Sequence, residues 1–163
     1  MERIYISSLI ECEKTIKTPP KKTMSIDQRN DFTLRNDFSC ISEDEKLFDV
    51  FMRMNTVLPY LFSIGLRYRS ESGIFTLCRY NGKHYHKNKI GNKESWNDFH
   101  IHELFDKQLS NGTDSSLDAD ITEKYATFYE ALYAFLNDCH IKNWQQYFPD
   151  LESTIGQLRL DGV

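Results

Sequence analysis

The chain reads as an α+β domain: an antiparallel β-meander of about five strands, with an N-terminal helix and one main C-terminal helix packed on the sheet. Three observations predict it. The 163 residues include eleven Phe and nine Tyr within a 40% hydrophobic share, enough apolar side chain for one core without disulfides. Between residues 62 and 69, Phe62, Ile64, Leu66 and Tyr68 alternate with Ser63, Gly65, Arg67 and Arg69, the period of a half-buried strand. From residue 122 to 139 the apolar positions Tyr125, Phe128, Tyr129, Leu132, Phe135, Leu136 and Cys139 fall at helical spacing.

The elements follow in order. Ser8-Leu9-Ile10-Glu11 has the form of a capping box, and Pro19-Pro20 ends the helix it opens, so residues 1–20 are assigned to an N-terminal helix. A Lys-rich link leads to the meander, residues 24–105. Its first strand, from Met24 to Arg35, sets Phe32 and Leu34 against Arg29, Asp31, Thr33 and Arg35, and a loop at residues 42–45 closes it. Leu47 to Met54 alternates Phe48, Val50, Met52 and Met54 with Asp49 and Arg53, although Phe51 falls on the mixed face. Ser70-Glu71-Ser72-Gly73 turns the strand at 62–69 into that of Ile74 to Tyr80, a hairpin, which Asn81-Gly82 stops. Residues 83–97 are a loop, Asp98 to Phe105 a further strand, and residues 110–116 a polar connection. The helical part, residues 122–148, is capped at Asp120 or Thr122 and ends in Trp144, Tyr147 and Phe148 packed on the same core; residues 149–163 form a tail.

Composition limits the function classes. No run of about 18 apolar residues and no secretory leader pattern is present, so the expectation is a cytoplasmic protein with no membrane partner. The cysteines Cys12, Cys40, Cys78 and Cys139 form no C-x-x-C pair, which favours buried reduced thiols over a disulfide frame or a zinc knuckle. The net charge of −4 conceals an asymmetry: residues 67–93 hold seven Lys or Arg and one acid, whereas residues 94–163 hold four basic and thirteen acidic residues. A solvated surface is the plain account; a phosphate-attracting patch beside an acidic flank is the functional one.

Four of the five histidines form two H-x-H pairs, His84-Tyr85-His86 and His100-Ile101-His102. In a strand, positions i and i+2 share a face, and antiparallel pairing could set one pair opposite the other. Three readings compete. The histidines hydrogen-bond loop backbone or lie on the surface; or they bind a metal, for which H-x-H alone is a weak signal; or they act as acid and base in metal-independent RNA cleavage, which calls for no cofactor. For the last, His84, His86, His100 and His102 supply imidazoles, and Arg79 is the first candidate for the cation on the phosphorane, arginine binding two phosphate oxygens at once. Arg67, Arg69, Lys83, Lys87, Arg29 and Arg53 are the candidate nucleic-acid contacts, with salt bridges to Asp31 or Asp49 as the plain alternative for Arg29 and Arg53. Tyr80 and Tyr85 are candidates for base stacking, although packing is the commoner fate of such residues.

Arg79-Tyr80-Asn81-Gly82-Lys83-His84-Tyr85-His86, with His100-Ile101-His102 and an aromatic helix holding Phe128 and Leu132, resembles the TumE-like toxin group of toxin-antitoxin systems. The stretches at residues 29–34 and 62–66 are similar to an uncharacterised bacterial and phage family with the same layout. The resemblance implies a one-domain toxin acting on RNA and held by an antitoxin protein, with Arg79, His84, His86, His100 and His102 as the positions carried over. The alternative expectation is a non-enzymatic phage or mobile-element protein that binds and inhibits a host nucleic-acid-processing or defence complex, its acidic third imitating a phosphate chain.

Overall fold

Long alternating strands dominate the described residues, and the described helices pack on one of the two faces those strands create. A computed structural model describes residues 3–83, 89–90, 93–94, 98–103 and 119–162. The chain runs α1 (Arg3–Glu11), β1 (Lys14–Thr18), β2 (Ser25–Asp27), β3 (Asn30–Ser42), β4 (Leu47–Asn55), β5 (Phe62–Ser70), β6 (Gly73–Asn81), β7 (Lys89–Ile90), β8 (Lys93–Glu94), β9 (His100–Glu103), β10 (Ala119–Ile121), α2 (Phe128–Asp138), a 3₁₀ turn (Trp144–Gln146) and α3 (Leu151–Leu160). The main sheet has eight antiparallel strands in the order β1-β3-β4-β5-β6-β9-β10, with β2 beside β3; β7 and β8 pair separately. No helix among the described residues is long and apolar enough to cross a membrane.

The α+β architecture stands, with a sheet larger than the five expected strands. Those five correspond to β3, β4, β5, β6 and β9; the additions are short strands with weak patterns. In β1, Lys-Thr-Ile-Lys-Thr, Ile16 is the single apolar residue and is buried. The helix therefore ends at Glu11 rather than at Pro19-Pro20, and the prolines close β1 instead. Ser8 is no cap: it lies inside α1, its hydroxyl donating to the Tyr5 carbonyl at 2.6 Å. The expected strand at 24–35 is a hairpin, β2 turning into β3 at Asp27–Asn30. At the other end the chain spends residues 119–121 on β10 before α2 begins, so the helix opens at Phe128 rather than at residue 122. Thr127 accepts from the Glu130 amide at 3.1 Å and Glu130 accepts from the Ala126 amide at 3.0 Å, a variant of the capping box.

The end of α2 uses the fifth histidine. His140 takes φ 53°, its amide donates to the Asn137 carbonyl and the Ile141 amide to the Leu136 carbonyl, the two bonds of a Schellman ending. That ending turns the chain back onto β1, where Lys14 and Ile141 form a parallel bridge. Between sheet and helices lies the core: Phe48, Val50, Met52, Ile64 and Leu66 from the strands, Leu132, Phe135 and Leu136 from α2, Ile6 and Leu9 from α1, and Leu151 and Ile155 from α3. Each such side chain stabilises the fold by about 1.5–3 kcal/mol when fully buried. Tyr80 reaches from β6 to donate to Asp138 of α2 at 2.5 Å, and it stacks on Tyr125.

The thiols are free, three buried and Cys12 half-buried; Cys78 and Cys139 lie 3.8 Å apart, sulfur to sulfur, across the sheet–helix boundary. Burial pushes the Cys40 thiol up to about 12 from 9.0, so it stays protonated in the fold when the unfolded chain would ionise. A raised acid of this kind stabilises fully below its unfolded value and loses that contribution as pH climbs towards its folded one. Between pH 9 and 12, denaturant titrations are expected to show Cys40 lowering stability by up to about 1.4 kcal/mol per pH unit. Cys40→Ala removes that component of the slope; an identical slope in the variant would assign the alkaline loss elsewhere.

Candidate functional site

Alternation that sends apolar residues to the helices sends arginine to the opposite face. Arg35 on β3, Arg53 on β4, Arg67 and Arg69 on β5 and Arg79 on β6 all occupy positions out of phase with the core residues of their strands. Antiparallel register arranges them in rows. One row crosses the sheet as Arg35, Arg53, Ser63, Asn81 and His100, each the partner of the next; a second runs Asp37, Phe51, Gly65, Arg79 and His102; a third runs Ser39, Asp49, Arg67 and Thr76.

Among the described residues, Asp27, Asp37 and Asp49 are the carboxylates that meet these cations. Asp37 receives Arg35 at 2.6 Å and Arg53 at 2.8 Å, and Asp27 lies 3.8 Å from Arg35. Partial burial pushes the Asp37 carboxyl up, but the two arginines outweigh it and hold the group below the usual aspartate range. Asp49 receives Arg69 on both oxygens at 2.5 Å. Arg67, the direct cross-strand partner of Asp49, is thereby left with no ion pair among the described residues; its guanidinium lies 4.4 Å from the centre of the Phe51 ring. Arg79 likewise has no carboxylate among the described residues, and its Nε is buried with no hydrogen-bond partner there.

The two histidines of β9 share this face, as the i, i+2 rule requires, and both are buried, at 0% and 1% exposure. His100 has Nδ1 at 2.9 Å from the Asp98 carbonyl and Nε2 at 3.4 Å from the Asn81 amide nitrogen, which Ser63 anchors by donating to Asn81 Oδ1 at 2.6 Å. Nδ1 donating to the Asp98 carbonyl and Nε2 accepting from the Asn81 amide fit these two contacts. Its ring meets His102 edge to face at 5.0 Å. His102 lines a cleft of about 450 Å³, together with Arg53, Arg79, Asn81, Ser63 and Asn55 among the described residues. Beside it a second cleft of about 400 Å³ is lined by Arg35, Arg53, Arg67, Arg69, Phe51 and Lys17, among others.

Of the residues selected from sequence, Arg53, Arg67, Arg69, Arg79, His100 and His102 therefore come together. His84, His86, Lys87 and Tyr85, and with them the pairing of the two H-x-H motifs, lie outside the described residues. Arg29 stands apart, in the β2–β3 turn with its amide on Asp27. Lys83 places its ammonium 5.2 Å from the Phe99 ring, and Phe99 packs on Phe62 and Tyr125 at the helix-covered side. Tyr80 is 4% exposed on that side and offers no stacking surface. Sequence reading passed over Arg35, Phe51, Ser63, Gly65 and Asn81 as site residues; the cue was available, since each shares the out-of-phase parity of the arginines on the face turned away from the described helices. Among the described residues no cluster of three or more His, Cys, Asp or Glu has the arrangement of a metal site. Comparison with known protein families, curated proteins and solved structures finds no match to the chain.

Proposed function

We propose that the open face of the sheet binds RNA through its phosphates and that the His102 cleft is where the chain cleaves it, without a metal, as a toxin-like ribonuclease. The observation that carries this reading is the cleft of about 450 Å³ in which Arg53, Arg79 and His102 converge while the buried Arg79 Nε has no acceptor among the described residues. A donor desolvated without a partner is costly, and a phosphate oxygen is the natural acceptor for it. Charge layering supports the same orientation: the helix side exposes Glu123, Glu152, Asp150 and Asp161, which repel a polyanion from that side and leave the arginine face as its approach.

In the proposed reaction the His102 imidazole takes the proton of a 2′-hydroxyl as its oxygen attacks the adjacent phosphorus. Arg53 and Arg79 hold the phosphorane oxygens, and the imidazolium gives the proton to the departing 5′-oxygen. The products are a 2′,3′-cyclic phosphate and a 5′-hydroxyl. His100 and Asn81 act by holding the strand that carries His102.

The test uses end-labelled RNA in buffer with EDTA, with binding read by fluorescence anisotropy. Arg79→Gln is expected to weaken binding about tenfold and to lower the salt slope by about one; His102→Asn is expected to keep binding and slow cleavage at least about a hundredfold. Binding that Arg79→Gln leaves intact would defeat the phosphate assignment, and cleavage that survives His102→Asn would defeat the catalytic one. The resemblance to TumE-like toxins adds the expectation that expression arrests growth and that His102→Asn relieves it.

A further inference from the structure

The second cleft contains a guanidinium that no described carboxylate neutralises. Asp49, the cross-strand partner of Arg67, spends both oxygens on Arg69, and the Arg67 side chain is instead laid against the Phe51 ring at 4.4 Å. Gly65 makes this possible: a Cβ there would stand 2.2 Å from Phe51 Cζ, so only glycine lets the ring lie across the strand. The guanidinium carbon lies over the Phe51 ring, Phe51 is itself 8% exposed, and Arg67 is exposed to solvent. A guanidinium seated over a ring, without a carboxylate among the described residues and exposed to solvent, is a candidate platform for a nucleobase.

Resting on the RNA-binding reading above, we infer that Arg67 stacks an unpaired base next to the phosphate held by Arg53 and Arg79, and that the ligand is therefore single-stranded RNA lying across the strands. Arg67 is one strand over and one row along from Arg79, roughly 8 Å between Cα atoms from ordinary sheet spacings, about one nucleotide step. Arg53 lines both clefts, so a chain leaving the first passes directly into the second. A base paired within a duplex has its faces occupied and cannot lie on the platform.

The experiment compares tetra-adenylate, the same tetranucleotide with abasic residues, and an RNA duplex, by anisotropy at fixed low salt, against the full chain and its Arg67→Ala and Arg67→Lys variants. Wild type is expected to favour the base-bearing strand over the abasic one by about tenfold, with the duplex weaker still. In Arg67→Ala that preference shrinks to near one, and Arg67→Lys, which keeps the charge but not the plane, does not restore it. An abasic penalty that persists in Arg67→Ala, full restoration by lysine, or a duplex bound as tightly as the single strand would each overturn the stacking role. Absence of binding to all three RNAs in wild type would instead overturn the RNA reading on which it rests.

Discussion

Replacing Lys14 by methionine is expected to destabilise the protein by about 3 kcal/mol, lowering its thermal midpoint by roughly 6–12 °C. Lys14 is 1% exposed, and its ammonium donates to the carbonyls of Ile10 at 2.7 Å, Cys12 at 2.8 Å and Cys139 at 3.1 Å while lying 4.7 Å from the centre of the Phe48 ring. Two of those carbonyls close α1 and the third closes α2, so one side chain satisfies the ends of two helices and holds both to the sheet. Methionine keeps the length and most of the volume of the side chain, so packing is nearly conserved and the loss isolates the polar part. Two effects oppose each other: the variant no longer desolvates a charge, which favours it, but it strands one buried and two part-buried acceptors, each worth about 1–3 kcal/mol at full burial. Three acceptors against one ammonium decide the sign. Urea titration of the two proteins gives the measurement, and a Lys14→Met variant as stable as wild type would mean that water reaches those carbonyls.

The same residue marks where sequence reading ran out. Lys14 stands in a polar pentapeptide, and nothing in local periodicity announces that it will be buried, because its partners are carbonyls 125 residues away as well as adjacent ones. Long strands were legible because a period of two over eight or nine residues has no helical counterpart; β5 is the clearest case, and β6 was read from the turn that precedes it. Strands of three to five residues, β1, β2 and β10, carry too few alternations to separate from link or cap and are fixed by pairing with neighbours.

At the site, parity placed His100 and His102 on one face of their strand. It did not reveal that His100 would be engaged by Asn81 and Asp98, nor that Asp49 would choose Arg69 over its direct partner Arg67. Those outcomes depend on cross-strand register and on the reach of individual side chains, which a one-dimensional pattern does not contain. The charge asymmetry, by contrast, carried through: part of the basic excess at 67–93 lies on the open face of β5 and β6, and the acidic third includes the exposed carboxylates of the helix side.

Gly65→Ala is expected to lower stability by about 2–3 kcal/mol, and Phe51→Ala in the same chain to remove most of that loss. The methyl would meet Phe51 Cζ at 2.2 Å and Cε1 at 2.3 Å, and the strand backbone on both sides is fixed by pairing of β5 with β4 and β6, so the ring must move. Phe51 is held from above by Arg67 and flanked by Arg53 at 5.8 Å, and turning it out exposes a ring now 8% accessible. On its own Phe51→Ala costs about 3 kcal/mol or less, because one face of the ring already meets charged side chains rather than core. In the double variant the added methyl occupies part of the vacated space, and the two losses fall well short of their sum. A double-variant cycle in urea measures the coupling; strict additivity would mean that the glycine serves the backbone of β5 and not the ring. Because Arg67 rests over that ring, Gly65→Ala is also expected to weaken the base-stacking preference of the face, so a stability defect and a recognition defect should arise together from one methyl group.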